Sequence, residues 1–272
     1  RDKRCAMTSR AVVVLGASNV ARGWPSLVDT IVGLNISEKL AGPATDIFAA
    51  AGHGRSYGAS SRVLARVLPS IVDCGLWSAL QAYDGEVRGA LVTDIGNDLL
   101  YEYAVDDVLR WVATCVERLA SHTDRIAVTL LPNVSTENIG RLRFLFFRTL
   151  FVPACRLGRE ELARRVAALN DGLRRLAATM QFELVEQDSD WYGMDPIHVL
   201  SRSRHRAWER MFSTALGRSG LRNGASGEAS GRQCPSRQRG RPRAARRWMF
   251  GVEQCTVQPS ARLASGGAIS WF

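Results

Sequence analysis

The 272-residue chain is 46% hydrophobic and carries a formal charge of +10, enough apolar material for one sizeable core. Ten arginines fall in residues 213–272 against only Glu228 and Glu253, so that segment holds +8 and the 212 residues before it +2. This argues against a nucleic-acid-binding core and leaves the tail as the one place for nucleic acid; the six cysteines, with no CxxC spacing and no clustering with histidine, argue against a metal centre or a disulfide framework.

Residues 1–10 read as an N-terminal extension. The apolar run VVVL that follows is too short for a secretory leader, no run is long enough to span a membrane, and cytoplasm is the expected location. Over 11–216, short apolar runs alternate with helical periodicity, the pattern of successive βαβ units around a mostly parallel sheet. Strands are predicted at 11–15, 45–49, 90–94, 126–131 and 182–185, several nearly continuous in apolar residues, as in strands covered on both faces. Helical spacing is clearest over 105–119, where Val105, Val108, Leu109, Val112, Val116 and Leu119 share a stripe and Cys115 reads as a small buried residue. A second helix is predicted over 160–180, with Leu162, Val166, Leu169, Leu173 and Leu176 inward and Arg164, Arg165, Arg174 and Arg175 on a solvated face. The fold class is α/β, a three-layer αβα sandwich with a five-stranded sheet. The aromatic stretch 141–153 reads either as a packed helix or as a flap lining a pocket. From 217 to 272 glycine, serine and arginine dominate without apolar periodicity, and the segment is expected to be disordered.

Four short islands carry chemistry. Ser18 lies in VVVLGASNV, Gly54 in AAGHGRSYG, Asn97 in LVTDIGNDLLY, and Asp195 and His198 in WYGMDPIHVL. The first three each lie just past the carboxyl end of a predicted strand, the rim where sheets of this kind bind ligands. An acid three positions before an imidazole can hold one ring nitrogen and leave the other free to take a proton. Each residue also has a plainer reading. Ser18 could cap the first helix, Gly52 and Gly54 could make a tight turn, and Asn97 and Asp98 could cap a helix starting near Leu99. His53 reads as a turn residue, His122 as a helix-end cation and His205 as part of a surface helix. Trp191 and Tyr192 read as core packing or as pocket walls.

In this order the islands resemble the nucleophile, glycine, Gly-x-Asn-Asp and Asp-x-x-His blocks of the SGNH (GDSL-type) hydrolases, serine esterases and lipases on a flavodoxin-like αβα sandwich. The resemblance implies Ser18 as nucleophile, His198 as base and Asp195 as its orienting acid. It also implies an oxyanion hole from the Ser18 N–H, the Gly54 N–H and the Asn97 side chain, with no cofactor and no metal. The expected substrate is a small-molecule carboxylic ester, and activity is expected to fall as the imidazole protonates. Two departures stand out. Ala17 occupies the position where the family has Asp, and Ala49 a position that is often Asn. They motivate an alternative, an inactive SGNH-like module that holds an acyl or sugar ligand. A third role, for Arg237, Arg239, Arg241, Arg243, Arg246 and Arg247, is neutralising the phosphates of an acidic partner. The α/β-hydrolase elbow Gly-x-Ser-x-Gly is not met, since Val20 holds its last position, and GASNVARG lacks the dinucleotide fingerprint.

Overall fold

A computed structural model describes residues 9–36, 44–132, 152, 155–217, 238–239 and 242–272. In chain order its strands are β1 (Arg10–Leu15), β2 (Thr45–Ala50), β3 (Ser61–Val63), β4 (Arg66–Leu68), β5 (Glu86–Val92), β6 (Ile126–Thr129), β7 (Glu183–Val185), β8 (Gln238–Arg239), β9 (Arg246–Met249), β10 (Val252–Cys255), β11 (Ala261–Leu263) and β12 (Ala268–Trp271). The helices are α1 (Ser18–Ile36), α2 (Leu76–Gln81), α3 (Asn97–Leu100), α4 (Val105–Ala120), α5 (Arg159–Met180) and α6 (Arg204–Ala215).

All five predicted strands form, and they lie side by side and parallel in the order β7-β6-β5-β1-β2. Strand β1 is central and buried along almost its whole length, which accounts for its unbroken run of valines. Its alternate residues feed two cores. Ala11, Val13 and Leu15 pack with Leu76, Leu80, Val112, Val116, Leu169 and Leu173 of α2, α4 and α5. Val12 and Val14 pack with Val20, Leu27, Ile31, Trp208 and Phe212 of α1 and α6. Period-2 alternation thus generates the three layers directly. Cys115 is buried within α4. On α5, Arg164 and Arg165 pair with Glu161, and Arg174 pairs with Asp171.

The sheet does not stop at β2. Strand β12 adds parallel to it, with Ile269 opposite Ile47 and Trp271 opposite Ala49, and β11 and β8 follow antiparallel. Among the described residues the sheet therefore has eight strands rather than five. The expectation of a disordered tail fails over 242–272. Ala261 and Leu263 of β11, on either side of exposed Arg262, and Ile269 and Trp271 of β12, on either side of buried Ser270, join the α1 and α6 core at alternate positions. That is strand periodicity, which glycine- and arginine-rich composition conceals. A second sheet, wholly antiparallel in the order β10-β9-β4-β3, was not expected either. The stretch 141–151 and most of 218–241 lie outside the described residues. No described helix is long and apolar enough to cross a membrane.

Candidate active site

Strand β1 ends at Leu15, the chain turns through Gly16 and Ala17, and α1 begins on Ser18. The serine is therefore delivered to the carboxyl edge of the sheet. His198 arrives from the loop ahead of α6, and its Nε2 lies 3.1 Å from the Ser18 Oγ. Its Nδ1 lies 2.6 Å from Asp195 Oδ2. The other carboxylate oxygen of Asp195 accepts the backbone N–H groups of Ile197 at 2.9 Å and His198 at 3.2 Å. The short Asp195-Pro196-Ile197-His198 segment is thus a closed turn built around the acid, which fixes the imidazole on its carboxylate. Burial pushes the Asp195 carboxyl up, but the bonds from His198 and Ile197 outweigh it and hold the carboxyl below its ordinary range. Arg22 stands 3.9 Å from the same Oδ2. Ser18 and His198 are both buried.

Sequence reading missed Asp94. It follows β5 on the same rim, in the left-handed region at φ 60°, and its carboxylate reaches across to α1. Oδ2 accepts the N–H groups of Ala17 at 2.9 Å, Asn19 at 3.0 Å and Val20 at 3.4 Å. This carboxylate caps α1 from a neighbouring strand and meets the positive end of its dipole. The helix-start acid that Ala17 lacks is supplied 77 residues away. The Ser18 hydroxyl is then not needed as the cap. Asn19 was missed as well. Its Nδ2 donates to Asp94 Oδ1 at 2.8 Å and to the Ile197 carbonyl at 3.0 Å, while its Oδ1 accepts the Val199 N–H at 2.9 Å. One side chain joins the serine's helix to both neighbours of His198. The signal was in the sequence only as position: Asn19 follows the serine, and Asp94 sits one strand away on the same edge.

Gly54 takes φ 66° in the loop after β2. A Cβ there would lie 2.5 Å from Val63 and 2.8 Å from the Tyr101 hydroxyl, so only glycine fits. The Tyr101 hydroxyl donates to the Gly54 carbonyl at 2.6 Å, and Asn97 Nδ2 donates to the Arg55 carbonyl at 3.4 Å. Asp98 is not the helix cap expected of it. The residue before α3 is Gly96, and no side chain caps that helix. The buried Asp98 carboxylate accepts from the Ser56 hydroxyl and, at 2.9 Å, from the Tyr57 N–H, and burial pushes it up to about 6 against those bonds. Tyr101, Asn97 and Asp98 thereby clamp the glycine loop to the start of α3. Trp191 is fully buried in the core and is no pocket wall; Tyr192 packs beside that core and donates to Gln187. His205 meets Thr30 between α6 and α1, His122 follows α4, and His53 is an exposed turn residue.

No protein-family model and no curated protein matches the chain by sequence. Among solved structures it resembles the psychrotrophic esterase EstA from Pseudoalteromonas sp., inhibited there by monoethylphosphonate. That match has 13% identity and a TM-score of 0.50 over 75% of this chain and 95% of the other. Est24, a carbohydrate acetylesterase from Sinorhizobium meliloti, matches at 12% identity and TM-score 0.49 over 73% of this chain and 95% of its own. A GDSL-like lipase from Bacteroides thetaiotaomicron matches at 11% and 0.48 over 77% and 88%. The likeness to EstA is one of fold, an α/β architecture with a mostly parallel sheet flanked by helices.

Proposed function

We propose that the chain is a serine hydrolase that cleaves carboxylic esters through an acyl-enzyme on Ser18. The reading rests on one observation, the continuous path from the Ser18 hydroxyl through His198 to Asp195 at 3.1 and 2.6 Å. A serine hydroxyl is a weak nucleophile until a base removes its proton. Nε2 is in position to take that proton as Oγ bonds to the ester carbonyl carbon, and Asp195 stabilises the resulting imidazolium. The imidazolium then returns the proton to the departing alkoxide, which leaves as alcohol. Water repeats the sequence: it attacks the acyl carbon while His198 takes its proton, and the carboxylic acid departs as Oγ is reprotonated.

The negative oxygen formed at each attack needs donors fixed beforehand. We assign them to the Ser18 N–H, the Gly54 N–H and the Asn97 amide, each worth about 10²–10³ in rate. In favour of the first, Asp94 accepts from Ala17, Asn19 and Val20 and not from Ser18. The inactive-module alternative drew on the departures at Ala17 and Ala49, and Asp94 answers the first by supplying the helix-start acid.

The test is stoichiometric labelling by a fluorophosphonate, with turnover of a short-chain nitrophenyl ester, in the native chain and in Ser18→Ala. Labelling and turnover confined to the native chain is the expected result. A Ser18→Ala variant that still turns over the ester would overturn the assignment.

A further inference from the structure

Two β-turns of the small antiparallel sheet meet at one end of it. Leu64 connects β3 to β4, Phe250 and Gly251 connect β9 to β10, and the Phe250 N–H donates to the Ala65 carbonyl at 3.0 Å. The side chains at this tip are large, apolar and outside any core: Leu64 is 92% exposed, Phe250 83% and Val252 64%. Leu64 and Phe250 also hold φ values of 54° and 51°. Asparagine or glycine would occupy those positions with less strain. Folding therefore gains nothing from either side chain and is strained by both, and two bulky apolar residues on adjacent turns call for a use outside the fold.

The charge around the tip is one-sided. The strands of this sheet and their turns carry Arg62, Arg66, Arg246 and Arg247 against a single acid, Glu253, which pairs with Arg246. Burial and then the Arg247 charge push the Arg66 guanidinium down. Arg246 also lies over the Trp248 ring at 4.9 Å. Between the turns runs a groove of about 480 Å³ lined by Arg62, Ala65, Val67, Trp248, Phe250 and Gly251. Projecting hydrocarbon tips with guanidinium groups set behind them suit an interface whose surface is anionic and whose interior is apolar. A nucleic acid would use the arginines and leave Leu64 and Val252 in water. The sheet is also coupled to the candidate site. Val63 lies against Gly54, and Arg66 donates to the His53 carbonyl at 2.9 Å.

We infer that the paired turns at Leu64 and Phe250 form a docking surface for an anionic phospholipid surface, the apolar tips entering the acyl region and the arginines resting at headgroup level. Docking would present the glycine loop to the lipid, and any consequence for a lipid-borne ester rests on the esterase reading. The docking itself does not, since it is read without turnover.

The experiment is co-sedimentation of the full chain with vesicles of phosphatidylcholine alone and of phosphatidylcholine mixed with phosphatidylglycerol. The comparison is the double variant Leu64→Asn, Phe250→Asn. Asparagine tolerates the left-handed backbone, so the variant keeps or gains thermal stability. The native chain should bind the mixed vesicles in preference, lose that binding as salt rises, and bind at least about tenfold more tightly than the variant. Equal partition of the two chains, or no binding above phosphatidylcholine, would overturn the inference. So would a concentration-dependent dimer abolished by the double variant, which would assign the tip to a second copy. Salt-sensitive binding to duplex DNA with no preference for vesicles would do the same.

Discussion

Asp94 Oδ1 accepts the side-chain amide of Asn19 at 2.8 Å, and this contact couples the start of α1 to the loop that carries His198. Asp94→Asn breaks the coupling in a specific way. The new amide has one acceptor where the carboxylate had two, so its NH₂ must face either the backbone donors of α1 or the Asn19 Nδ2. Turning the Asn19 amide over relieves that conflict and creates two more, at the Val199 N–H and the Ile197 carbonyl. We expect a loss of about 1–2 kcal/mol in stability from the weakened cap. We also expect kcat on a soluble nitrophenyl ester to fall by roughly 10- to 100-fold, with KM little changed, as Ser18 and His198 lose registration. A KM effect alone would mean that Asp94 shapes the pocket and not the relay.

How much of this was legible beforehand divides by range. The five parallel strands and α4 and α5 were readable because apolar period is a local property. The meeting of Ser18, Asp195 and His198 was expected from their types and order, and Asp195–His198 is a contact within three residues. Asp94 and Asn19 were not, because a cap supplied across 77 residues leaves no trace in local spacing. Asp98 looked like a cap for the same reason, since its partners Ser56 and Tyr57 lie about forty residues upstream. In the tail, composition misled: Arg and Gly surround short strands, of which β12 pairs with β2 and β11 with β12.

Asp195→Asn should leave the fold in place and lower the rate of fluorophosphonate labelling by up to on the order of 10⁴-fold, since an amide can hold His198 Nδ1 in the wrong tautomer. The same side chain has a stability signature. Its folded pKa is depressed, so its contribution is present above the unfolded carboxylate range and is lost as pH falls through the lower folded value. Urea titrations at successively lower pH should show the native chain losing stability there and Asp195→Asn losing less.

Gly54→Ala places a Cβ 2.5 Å from Val63 Cγ2 and 2.8 Å from the Tyr101 hydroxyl, on a backbone at φ 66°. Relief requires the loop, or Val63 and Tyr101 beside it, to shift. A destabilisation of roughly 1–3 kcal/mol is expected from the backbone and the overlap together. Turnover should fall further than stability explains. Tyr101→Phe removes only the 2.6 Å bond to the Gly54 carbonyl and should cost about 1 kcal/mol. Thermal melts and kcat/KM on the two variants separate loop position from loop anchoring.

Asp98 runs opposite to Asp195. Burial raises its carboxyl from 3.8 to about 6, so the folded chain binds the proton more tightly than the unfolded chain does. Stability from this group is therefore greatest below about pH 4 and declines as pH rises to about 6, by on the order of 3 kcal/mol. Asp98→Asn has no proton to lose. Its unfolding free energy relative to the native chain should climb across that window, and a constant difference would place the Asp98 proton elsewhere.

Trp271 tests whether the last strand belongs to the fold. Its ring meets that of Trp24 edge-on, with centroids 4.6 Å apart, and its Nε1–H donates to the Ala51 carbonyl at 2.9 Å. Trp24 sits on α1, six residues after Ser18, and Ala51 opens the loop that leads to Gly54, so this one side chain braces two parts of the candidate site. Trp271→Ala removes the packing and the bond together and should cost about 3–5 kcal/mol by urea denaturation. Trp271→Phe keeps most of the packing and should cost about 1 kcal/mol for the lost bond, plus the smaller ring. Were residues 242–272 an unstructured tail, both substitutions would fall within about 0.5 kcal/mol of the native chain, as surface changes do. A graded loss from phenylalanine to alanine is the outcome that an eight-stranded sheet requires.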